Sequence, residues 1–371
     1  MTVFVDENIP YLSDTLRSVA NVISFDFKKL SQNELIQNKC EYLFVRSTIK
    51  VDSDLLSGTA VKFVGTSTAG TDHIDFNYLK RNNIAFESAP GSNANSVAEY
   101  VIFAVLHWLE VKKLSPNQKT IGIVGYGNIG KLVARHAAQI FPKLEILIND
   151  PPLKDAAFPF PNYLKYCELD ELIQRSDVIT NHVPKVSSGK YPTIMLFNKN
   201  NLADIKNGGL FIHSSRGGVA SESALLEAKS NKDLMLVSDV WENEPQTNFE
   251  LLLQSEIATP HVAGHSWNGK IRGSVMMLKH FEKHSGISIP LSDIPQELFE
   301  QIEKYNFSAP SKSSSSQYSA SQLYEILKEK RQILSDSDEL KATGNLSVEE
   351  RTAKFIQFRK NYPKRFETLG V

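Results

Sequence analysis

Short apolar runs alternate with polar, amphipathic segments from the beginning of the chain. Four of these runs are rich in β-branched and aromatic residues, and they read TVFVDE, EYLFVRS, VKFVGTST and IAFESA. Such runs predict strands, and the segments between them have helical spacing. A regular alternation of strand and helix is typical of a parallel α/β domain. We therefore predict an α/β domain over residues 1–95.

A second unit of the same class is predicted after a long apolar helix. That helix contains VAEYVIFAVLHWLEVKK, and Asn95 or Ser96 is expected to cap it, with Ser96 and Glu99 spaced as a capping box. The chain continues as strand, helix and strand in TIGIVGYG, NIGKLVARHAAQIF and LEILIND. Further strands are predicted in DVITNHVP, GGLFIHSS and LMLVSDVW. This order predicts a Rossmann-type domain over residues 96–265.

The rest of the chain completes the predicted architecture. A helix in NGKIRGSVMMLKHFEKHSG is long enough to return to the first domain, which then also takes residues 266–286. The fold class is α/β, with two Rossmann-like or flavodoxin-like domains and a cleft between them. Within residues 287–371, the tract SAPSKSSSSQYSAS predicts a flexible linker. The charged helical segments after it, with Ser347 and Glu350 spaced as a capping box, predict a small module for oligomerisation rather than catalysis.

Composition narrows the class of protein. The chain has 371 residues with Lys+Arg 41 against Asp+Glu 42, and this balance disfavours a nucleic-acid or membrane-surface role. Cys40 and Cys167 lack metal-ligand spacing and suit a reducing compartment. No run approaches the roughly 18 apolar residues of a membrane-spanning helix, and the N-terminus lacks the basic and apolar pattern of a leader. We expect a protein of the cytoplasm.

A glycine fingerprint marks the nucleotide site of the predicted Rossmann-type domain. Gly125, Gly127 and Gly130 form GxGxxG between a predicted strand and a predicted helix. The first glycine permits a tight turn, the second lets a pyrophosphate approach the backbone, and the third lets helix and strand pack closely. Asp150 ends the next strand, where a carboxylate can accept both ribose hydroxyls and would repel the extra phosphate of NADP. The predicted cofactor is therefore NAD.

Three polar residues follow the later strands of this domain. Arg216 comes after GLFIHSS and before two glycines, Glu244 lies in SDVWENEP before a proline, and His261 lies in TPHVAGH after another proline. Ligand sites of open α/β sheets lie outside the carboxyl ends of the strands. Each residue taken singly is more often structural than catalytic, so the hypothesis rests on their joint position after the fingerprint.

Together these side chains suit the oxidation of an alcohol by hydride transfer. A neutral imidazole can take the hydroxyl proton, which makes His261 the candidate base. A carboxylate on its other ring nitrogen would fix the tautomer and stabilise the imidazolium, and Glu244 is the candidate. Arg216 would hold the substrate carboxylate bidentately and align the neighbouring carbon with the nicotinamide.

The order GYGNIG, Asp150, SSRGG, DVWENEP and TPHVAG resembles the D-isomer-specific 2-hydroxyacid dehydrogenase superfamily over about residues 1–286. Within it, VDENIPY, VRSTIKV, KFVGTSTAGTDHID and SAPGSNANSVAEYV resemble a branch that serves vitamin B6 (pyridoxal 5'-phosphate) biosynthesis. The C-terminal FRKNYPKR resembles the dimerisation module of that branch.

The resemblance implies an NAD-dependent homodimer that oxidises 4-phospho-D-erythronate at C2 to 2-oxo-3-hydroxy-4-phosphobutanoate, with Arg216, Glu244 and His261 as the active-site trio. Its substrate is thus a phosphorylated hydroxy acid. The substrate contacts that the resemblance implies are Ser47 and Thr68, with Arg46 and Thr71 as neighbours and His265 at a further contact position. The predicted cofactor-binding residues comprise the glycine fingerprint and the positions that the resemblance adds. They are Gly125, Gly127, Asn128, Ile129, Gly130, Asp150, Val183, Asp239 and Gly264.

Three positions depart from the family's pattern. His265 stands where close relatives carry a substrate-contacting tyrosine, so that contact passes to a shorter, titratable group or is lost. Ser221 stands where many relatives have an acid, and a serine can still cap the following helix. Val183 replaces a threonine and removes one possible hydrogen bond to the cofactor.

Other functions stay open from the sequence alone. The chain has the residues for a relative that oxidises 3-phosphoglycerate or an unphosphorylated 2-hydroxy acid. A protein that senses NADH and binds a partner without turnover would carry the same fold. The third alternative is a paralogue that binds NAD without turnover. It stays open because His265 and Val183 depart from the family's pattern.

Two polar clusters receive plainer interpretations. A metal site at Asp72, His73 and Asp75 is disfavoured, because Asp72 suits a helix start and no metal motif supports the cluster, so no metal is predicted. The basic residues of the C-terminus, in order of preference, form a solvated helix face, a dimer contact, or a phosphate-binding group that reaches a partner subunit; these residues are Arg359, Lys360, Lys364 and Arg365.

Overall fold

The computed structural model describes residues 1–290, 295–296 and 318–370. The strands in these ranges are β1 (Thr2–Asp6), β2 (Asn21–Phe25), β3 (Tyr42–Val45), β4 (Phe63–Thr66), β5 (Ala85–Glu87), β6 (Thr120–Val124), β7 (Glu145–Asn149), β8 (Leu164–Tyr166), β9 (Val178–Asn181), β10 (Leu210–His213), β11 (Met235–Ser238) and β12 (Ile257–Ala258). The helices are α1 (Leu12–Leu16), α2 (Gln32–Gln37), α3 (Ser53–Leu56), α4 (Phe76–Arg81), α5 (Ala94–Val111), α6 (Asn128–Ile140), α7 (Pro151–Asp155), α8 (Leu169–Arg175), α9 (Lys199–Leu202), α10 (Glu222–Asn231), α11 (Phe249–Gln254), α12 (Trp267–Ser285), α13 (Ala320–Arg331), α14 (Ile333–Lys341) and α15 (Val348–Lys360), with a 3₁₀ turn at Ala342–Asn345.

The described residues form two units. The first unit takes residues 1–93, 266–290 and 295–296, and the second takes residues 94–265 and 318–370. The C-terminal residues thus group with the second unit. Part of the predicted Ser-rich linker, residues 308–317, lies outside the described residues. The role of the C-terminus in dimerisation stays a prediction.

The first unit is built on a five-stranded parallel sheet in the order β2-β1-β3-β4-β5. Successive side chains of a strand point to opposite faces, so Val3 and Val5 join one core cluster while Phe4 joins the other. Both faces are covered, which explains why β1, β3 and β4 appear in the sequence as continuous apolar runs rather than alternating ones.

The second unit is built on a seven-stranded parallel sheet in the order β12-β11-β10-β9-β6-β7-β8. Its core also lies on both faces: Ile121 and Ile123 pack in one cluster, and Phe211 and Leu236 pack in the other. The order runs outward from β6 in both directions, the doubly wound arrangement that places the carboxyl ends of β6, β9, β10, β11 and β12 along one edge. The predicted α/β class with two parallel-sheet domains is confirmed.

Some of the helix caps predicted from the sequence are present in the structure, and one is not. Ser221 and Ser347 accept backbone N–H bonds from Ala224 and Glu350, so both predicted serine caps are present. The capping box predicted at Ser96 and Glu99 is wrong, because α5 begins at Ala94 and both side chains are buried inside it.

Two further predictions, for the helix start near Asp72 and for a basic residue of the C-terminus, are wrong. Asp75, not Asp72, caps α4, and its carboxylate accepts the N–H of Tyr78 at 2.9 Å. The predicted solvated face is wrong for Arg365, which is buried and donates to Asp336 at 2.7 Å. In the ranges that the structure covers, no helix combines the length and apolar character needed to cross a membrane.

Candidate active site

The glycine turn lies where β6 meets α6. Gly125 has φ +91, a left-handed conformation that a side chain rarely adopts. A Cβ on Gly130 would lie 2.0 Å from the carbonyl oxygen of Gly125, so helix and turn pack too closely for any side chain. A Cβ on Gly127 would meet nothing within 4 Å, which leaves its backbone open on the side where a ligand approaches. The turn therefore fits a dinucleotide pyrophosphate, with α6 beginning at Asn128.

Asp150 is tied to the same turn. One carboxylate oxygen accepts the N–H of Tyr126 at 2.7 Å, and the other accepts the N–H of Leu153 at 3.0 Å, which caps α7. A carboxylate has about four acceptor positions, so both oxygens retain capacity for ribose hydroxyls. Val183, two residues after β9, lies against the turn, because its Cγ1 is 3.0 Å from where a Cβ on Gly125 would lie. The cofactor contacts of Asp150, Val183, Asn128 and Ile129 stay predictions.

The two side chains predicted as a catalytic pair are in contact in the second unit, and their catalytic roles stay predictions. His261 Nδ1 lies 2.7 Å from Glu244 Oε2, although the two residues are 17 positions apart. The other carboxylate oxygen, Oε1, accepts the backbone N–H of Trp241 at 3.0 Å. A carboxylate only accepts, so Nδ1 of the neutral imidazole carries the hydrogen and Nε2 keeps its lone pair. This is the tautomer that a general base requires.

The electrostatics of the pair keep Glu244 ionised. Burial raises the pKa of Glu244, but the hydrogen bond from His261 and its charge lower that pKa by more, with help from the Trp241 amide and the charge of Arg359. The pKa of Glu244 therefore lies below its ordinary value. Glu244 is a carboxylate at neutral pH and can support a positive charge on His261.

The loop of His261 is held in an unusual backbone conformation. His261 has φ +57, in the left-handed region that costs energy for a residue with a side chain. Asp239 stabilises this loop, because its buried carboxylate accepts the N–H of Val262 at 2.7 Å and of Ala263 at 3.1 Å. The same carboxylate accepts the hydroxyl of Thr259 at 2.7 Å. Asp239 thus fixes the loop that contains Gly264, and the NAD contacts implied for Asp239 and Gly264 stay predictions.

Arg216 lies in a neighbouring turn. A Cβ on Gly217 would lie 1.7 Å from the carbonyl oxygen of Trp241, and Gly218 has φ +84, so only glycines permit this packing. The loop after β10 therefore packs against the loop that contains Trp241 and Glu244. Glu244 contacts His261, so the three predicted residues lie on neighbouring loops. The Nη1 of Arg216 donates to the Ser215 carbonyl at 2.9 Å. Its contact with the substrate carboxylate stays a prediction.

The predicted substrate residues fall in different units. In the first unit, Ser47 is exposed after β3, and Arg46 Nε donates to the buried Asp6 at 3.3 Å. Thr68 Oγ1 lies 2.9 Å from the hydroxyl of Thr66 and donates to the Gly70 carbonyl at 3.1 Å. All three residues lie in the first unit, and their roles toward the substrate stay predictions.

His265 belongs to the second unit and has a neighbour that the sequence did not indicate. The ring of Tyr362 meets the His265 imidazole edge-on, with 5.3 Å between centroids. The contact joins residues 97 positions apart, and no local pattern predicts it. Trp241 was missed as well, because it acts on Glu244 through a backbone N–H that every residue except proline carries. Within the ranges described, no three His, Cys, Asp or Glu side chains are grouped as metal ligands.

The amino-acid sequence of the chain is similar to that of known dehydrogenases. The family model for the D-isomer specific 2-hydroxyacid dehydrogenase, NAD binding domain, matches residues 105–263, which include the glycine turn and the His261–Glu244 pair. Erythronate-4-phosphate dehydrogenase of Escherichia coli O157:H7 is 38% identical over 287 residues, which cover 77% of this chain and 74% of the relative. The chain belongs to the erythronate-4-phosphate dehydrogenase family.

Other members and solved structures agree with that family. The erythronate-4-phosphate dehydrogenase of Wigglesworthia glossinidia brevipalpis is 38% identical over 276 residues, covering 74% of this chain and 71% of the relative. A structure of D-lactate dehydrogenase from Aquifex aeolicus with NAD and lactic acid is 25% identical, with TM-score 0.61, and covers 84% of this chain and 100% of that one. A putative D-isomer specific 2-hydroxyacid dehydrogenase from Polaromonas has TM-score 0.64 at 21% identity, over 78% of this chain and 98% of that one, and shares the fold. As an erythronate-4-phosphate dehydrogenase family member, the chain is an oxidoreductase with NAD as its cofactor.

Proposed function

We propose that the protein oxidises 4-phospho-D-erythronate at C2 to 2-oxo-3-hydroxy-4-phosphobutanoate, with NAD as acceptor. The observation that carries the proposal is the 2.7 Å contact between His261 and Glu244, in the unit that also contains the glycine turn. The name of the relatives gives the substrate, because each is an erythronate-4-phosphate dehydrogenase.

The proposed reaction divides its work among three side chains. His261 Nε2 takes the proton of the C2 hydroxyl, while the C2–H bond breaks and the C2–O bond becomes a carbonyl. Glu244 stabilises the imidazolium that forms, since its carboxylate accepts from Nδ1. Arg216 holds the C1 carboxylate and draws electron density toward it. NAD bound at the glycine turn supplies the hydride acceptor.

The setting proposed for this enzyme is pyridoxal 5'-phosphate biosynthesis in the cytoplasm, as a homodimer. Two free, buried cysteines are compatible with a reducing compartment. Exposed apolar side chains of the C-terminal residues support an interface with a second copy, since Ile356 is 53% exposed and Phe366 is 51% exposed.

A substrate panel tests the proposal. NADH formation is followed with 4-phospho-D-erythronate, 3-phospho-D-glycerate and D-erythronate, each over a range of concentrations. The expected result is a kcat/KM for 4-phospho-D-erythronate that exceeds that for D-erythronate by at least about 10²-fold, because a bound phosphate contributes several charge-assisted hydrogen bonds. It should also exceed that for 3-phospho-D-glycerate, whose chain is one carbon shorter and cannot place carboxylate, hydroxyl and phosphate in the same positions. A higher kcat/KM for 3-phospho-D-glycerate would assign a different substrate, and no turnover with any acid would overturn the dehydrogenase assignment.

A further inference from the structure

A buried hydrogen-bond network joins the C-terminal residues to the loop that carries His261. Arg331, at the end of α13, is 1% exposed. Its Nη1 donates to Glu99 at 2.9 Å, and its Nη2 donates to Ser96 Oγ at 3.1 Å and to the Ala263 carbonyl at 3.3 Å. Ser96 Oγ donates to the same carbonyl at 2.8 Å. The guanidinium therefore reaches a backbone atom two residues after His261.

The C-terminal residues contact this loop at two further points. Before the loop, Ser337 Oγ accepts the N–H of Ala258 at 3.0 Å. After it, the Tyr362 ring packs edge-on against His265. Three separate contacts from residues 331–362 thus fall on residues 258–265.

The C-terminal residues are themselves fixed around Arg331. Arg365 donates to the carbonyl of Arg331 and to both carboxylate oxygens of Asp336. One of these oxygens, Oδ2, also accepts the hydroxyl of Tyr362 at 2.9 Å. Glu99 also accepts the N–H groups of Thr368 and Leu369. Arg331 is therefore fixed at two points. Arg365 binds its backbone carbonyl, and Glu99, itself held by the two N–H groups, binds its guanidinium.

The network complements the contacts of Asp239. Asp239 holds the N–H groups of Val262 and Ala263, while Arg331 and Ser96 hold the carbonyl of Ala263. A strained backbone such as that of His261 persists only where surrounding contacts over-determine it. Without the contacts to the Ala263 carbonyl, this part of the loop would be bound only through its N–H groups, by Asp239.

A buried ion pair is a costly way to stabilise a fold. Burial raises the pKa of Glu99 to about 7 even with Arg331 against it, because a buried carboxylate loses its hydration. A pair of well-packed apolar side chains would give similar stability, but it would offer no donor to the Ala263 carbonyl.

We propose that Arg331 is a positioning residue for the dehydrogenase reaction, which acts through Ser96 and the Ala263 carbonyl to fix the His261 loop of its own chain. The C-terminal residues are then required for turnover within each subunit, independently of any role in dimerisation. The inference rests on the proposed role of His261 as the base.

The test separates positioning from stability. Arg331→Met alone would leave Glu99 buried without its cation and could unfold the protein. The double variant Glu99→Gln/Arg331→Met removes both charges and keeps the volumes similar. Ser96→Ala removes one contact to the Ala263 carbonyl and one acceptor of the Arg331 guanidinium, and it leaves the Arg331–Glu99 ion pair in place. Lys330→Ala is the matched control, because Lys330 precedes Arg331 on α13 and is exposed. Each variant is assayed for thermal unfolding, NAD binding, kcat, KM, and hydrogen exchange of the Val262 and Ala263 amides.

The expected result for the double variant is native-like unfolding and NAD binding, faster amide exchange in the loop, and a kcat lowered by about tenfold to 10²-fold, the scale for a misplaced catalytic group. KM should change much less than kcat. Ser96→Ala should lower kcat in the same direction by a smaller factor, and Lys330→Ala should match the wild type.

A double variant that folds with wild-type kcat and wild-type loop exchange would overturn the positioning role. Should the double variant fail to fold, Ser96→Ala decides, and an unchanged kcat with unchanged loop exchange overturns it equally. Absence of turnover in the wild type would instead contradict the proposed function, and amide exchange in the variants would still decide whether Arg331 fixes the loop.

Discussion

Replacement of Glu244 by glutamine is the sharpest perturbation of the proposed catalytic pair. The side chain keeps its size, so the change is limited to charge and to one hydrogen-bonding group. In the structure Oε1 of Glu244 accepts the Trp241 N–H, and Oε2 accepts from His261 Nδ1. In Glu244→Gln the amide oxygen would remain on the Trp241 N–H, so the NH₂ group would face Nδ1. A neutral imidazole must then accept at Nδ1 and carry its hydrogen on Nε2, which cannot take a proton.

The magnitude follows from losing both the tautomer and the charge. An amide in place of the orienting carboxylate lowers kcat by about 10⁴-fold in a Ser-His-Asp triad, which corresponds to about 5 kcal/mol. The pair here is partly exposed, with the side chains of His261 and Glu244 at 30% and 21%, so water can partly replace the carboxylate. We therefore expect kcat to fall by about 10³-fold for Glu244→Gln. Glu244→Asp keeps the charge at a longer distance and should lose about tenfold to 10²-fold.

The assay is NADH formation with 4-phospho-D-erythronate under saturating NAD, with NAD binding measured separately. Glu250→Gln is the control, since Glu250 is an exposed glutamate of α11 and should behave as the wild type. A kcat of Glu244→Gln within fivefold of the control would refute the view that Glu244 sets the tautomer of His261.

Other predictions follow from single contacts. Arg216→Ala should lower kcat/KM by about 10²-fold or more and leave NAD binding unchanged, as kinetics and calorimetry would show; equal kcat/KM would remove its substrate role. Gly130→Ala places a Cβ 2.0 Å from the Gly125 carbonyl and should cost about 2–4 kcal/mol in denaturant unfolding, whereas Gly127→Ala should keep stability and weaken NAD binding; equal stability losses would contradict this contrast. Burial lowers the pKa of His213 from 6.5 to about 4, so the stability it contributes is complete above pH 6.5 and is lost as pH falls toward 4. His213→Asn should thus reduce the loss of unfolding free energy between about pH 7 and about pH 4 by up to about 3 kcal/mol; an unchanged pH dependence would contradict the shift.

The sequence predicted the features that depend on neighbouring residues. The glycine turn, the caps at Ser221 and Ser347, and the apolar strands β3, β4, β6 and β9 follow from patterns within a few positions. The positions of the two residues predicted as a catalytic pair followed from one further rule, that parallel strands end at the same edge of a sheet. That rule places Glu244 and His261 at the same edge of the sheet, where they are in contact.

Features set by distant contacts were missed or wrongly interpreted. β2 is an edge strand that was not predicted, although its sequence NVISF contains three apolar residues, and β12, with only 2 residues, is too short to give a pattern. Ser96 and Glu99 have the spacing of a capping box, but their partner is Arg331, 235 and 232 positions away. A local pattern cannot show whether a serine and a glutamate face a helix end or a buried cation.

The most direct test of the central claim follows the hydrogen on C2. 4-Phospho-D-erythronate carrying deuterium at C2 is incubated with the enzyme and NAD in ordinary water, and the NADH formed is examined by mass spectrometry. Hydride transfer with His261 as the base predicts that the deuterium appears on the nicotinamide ring of NADH, and that His261→Ala forms such NADH far more slowly. NADH free of deuterium, or labelled NADH formed equally fast by His261→Ala, would contradict the account.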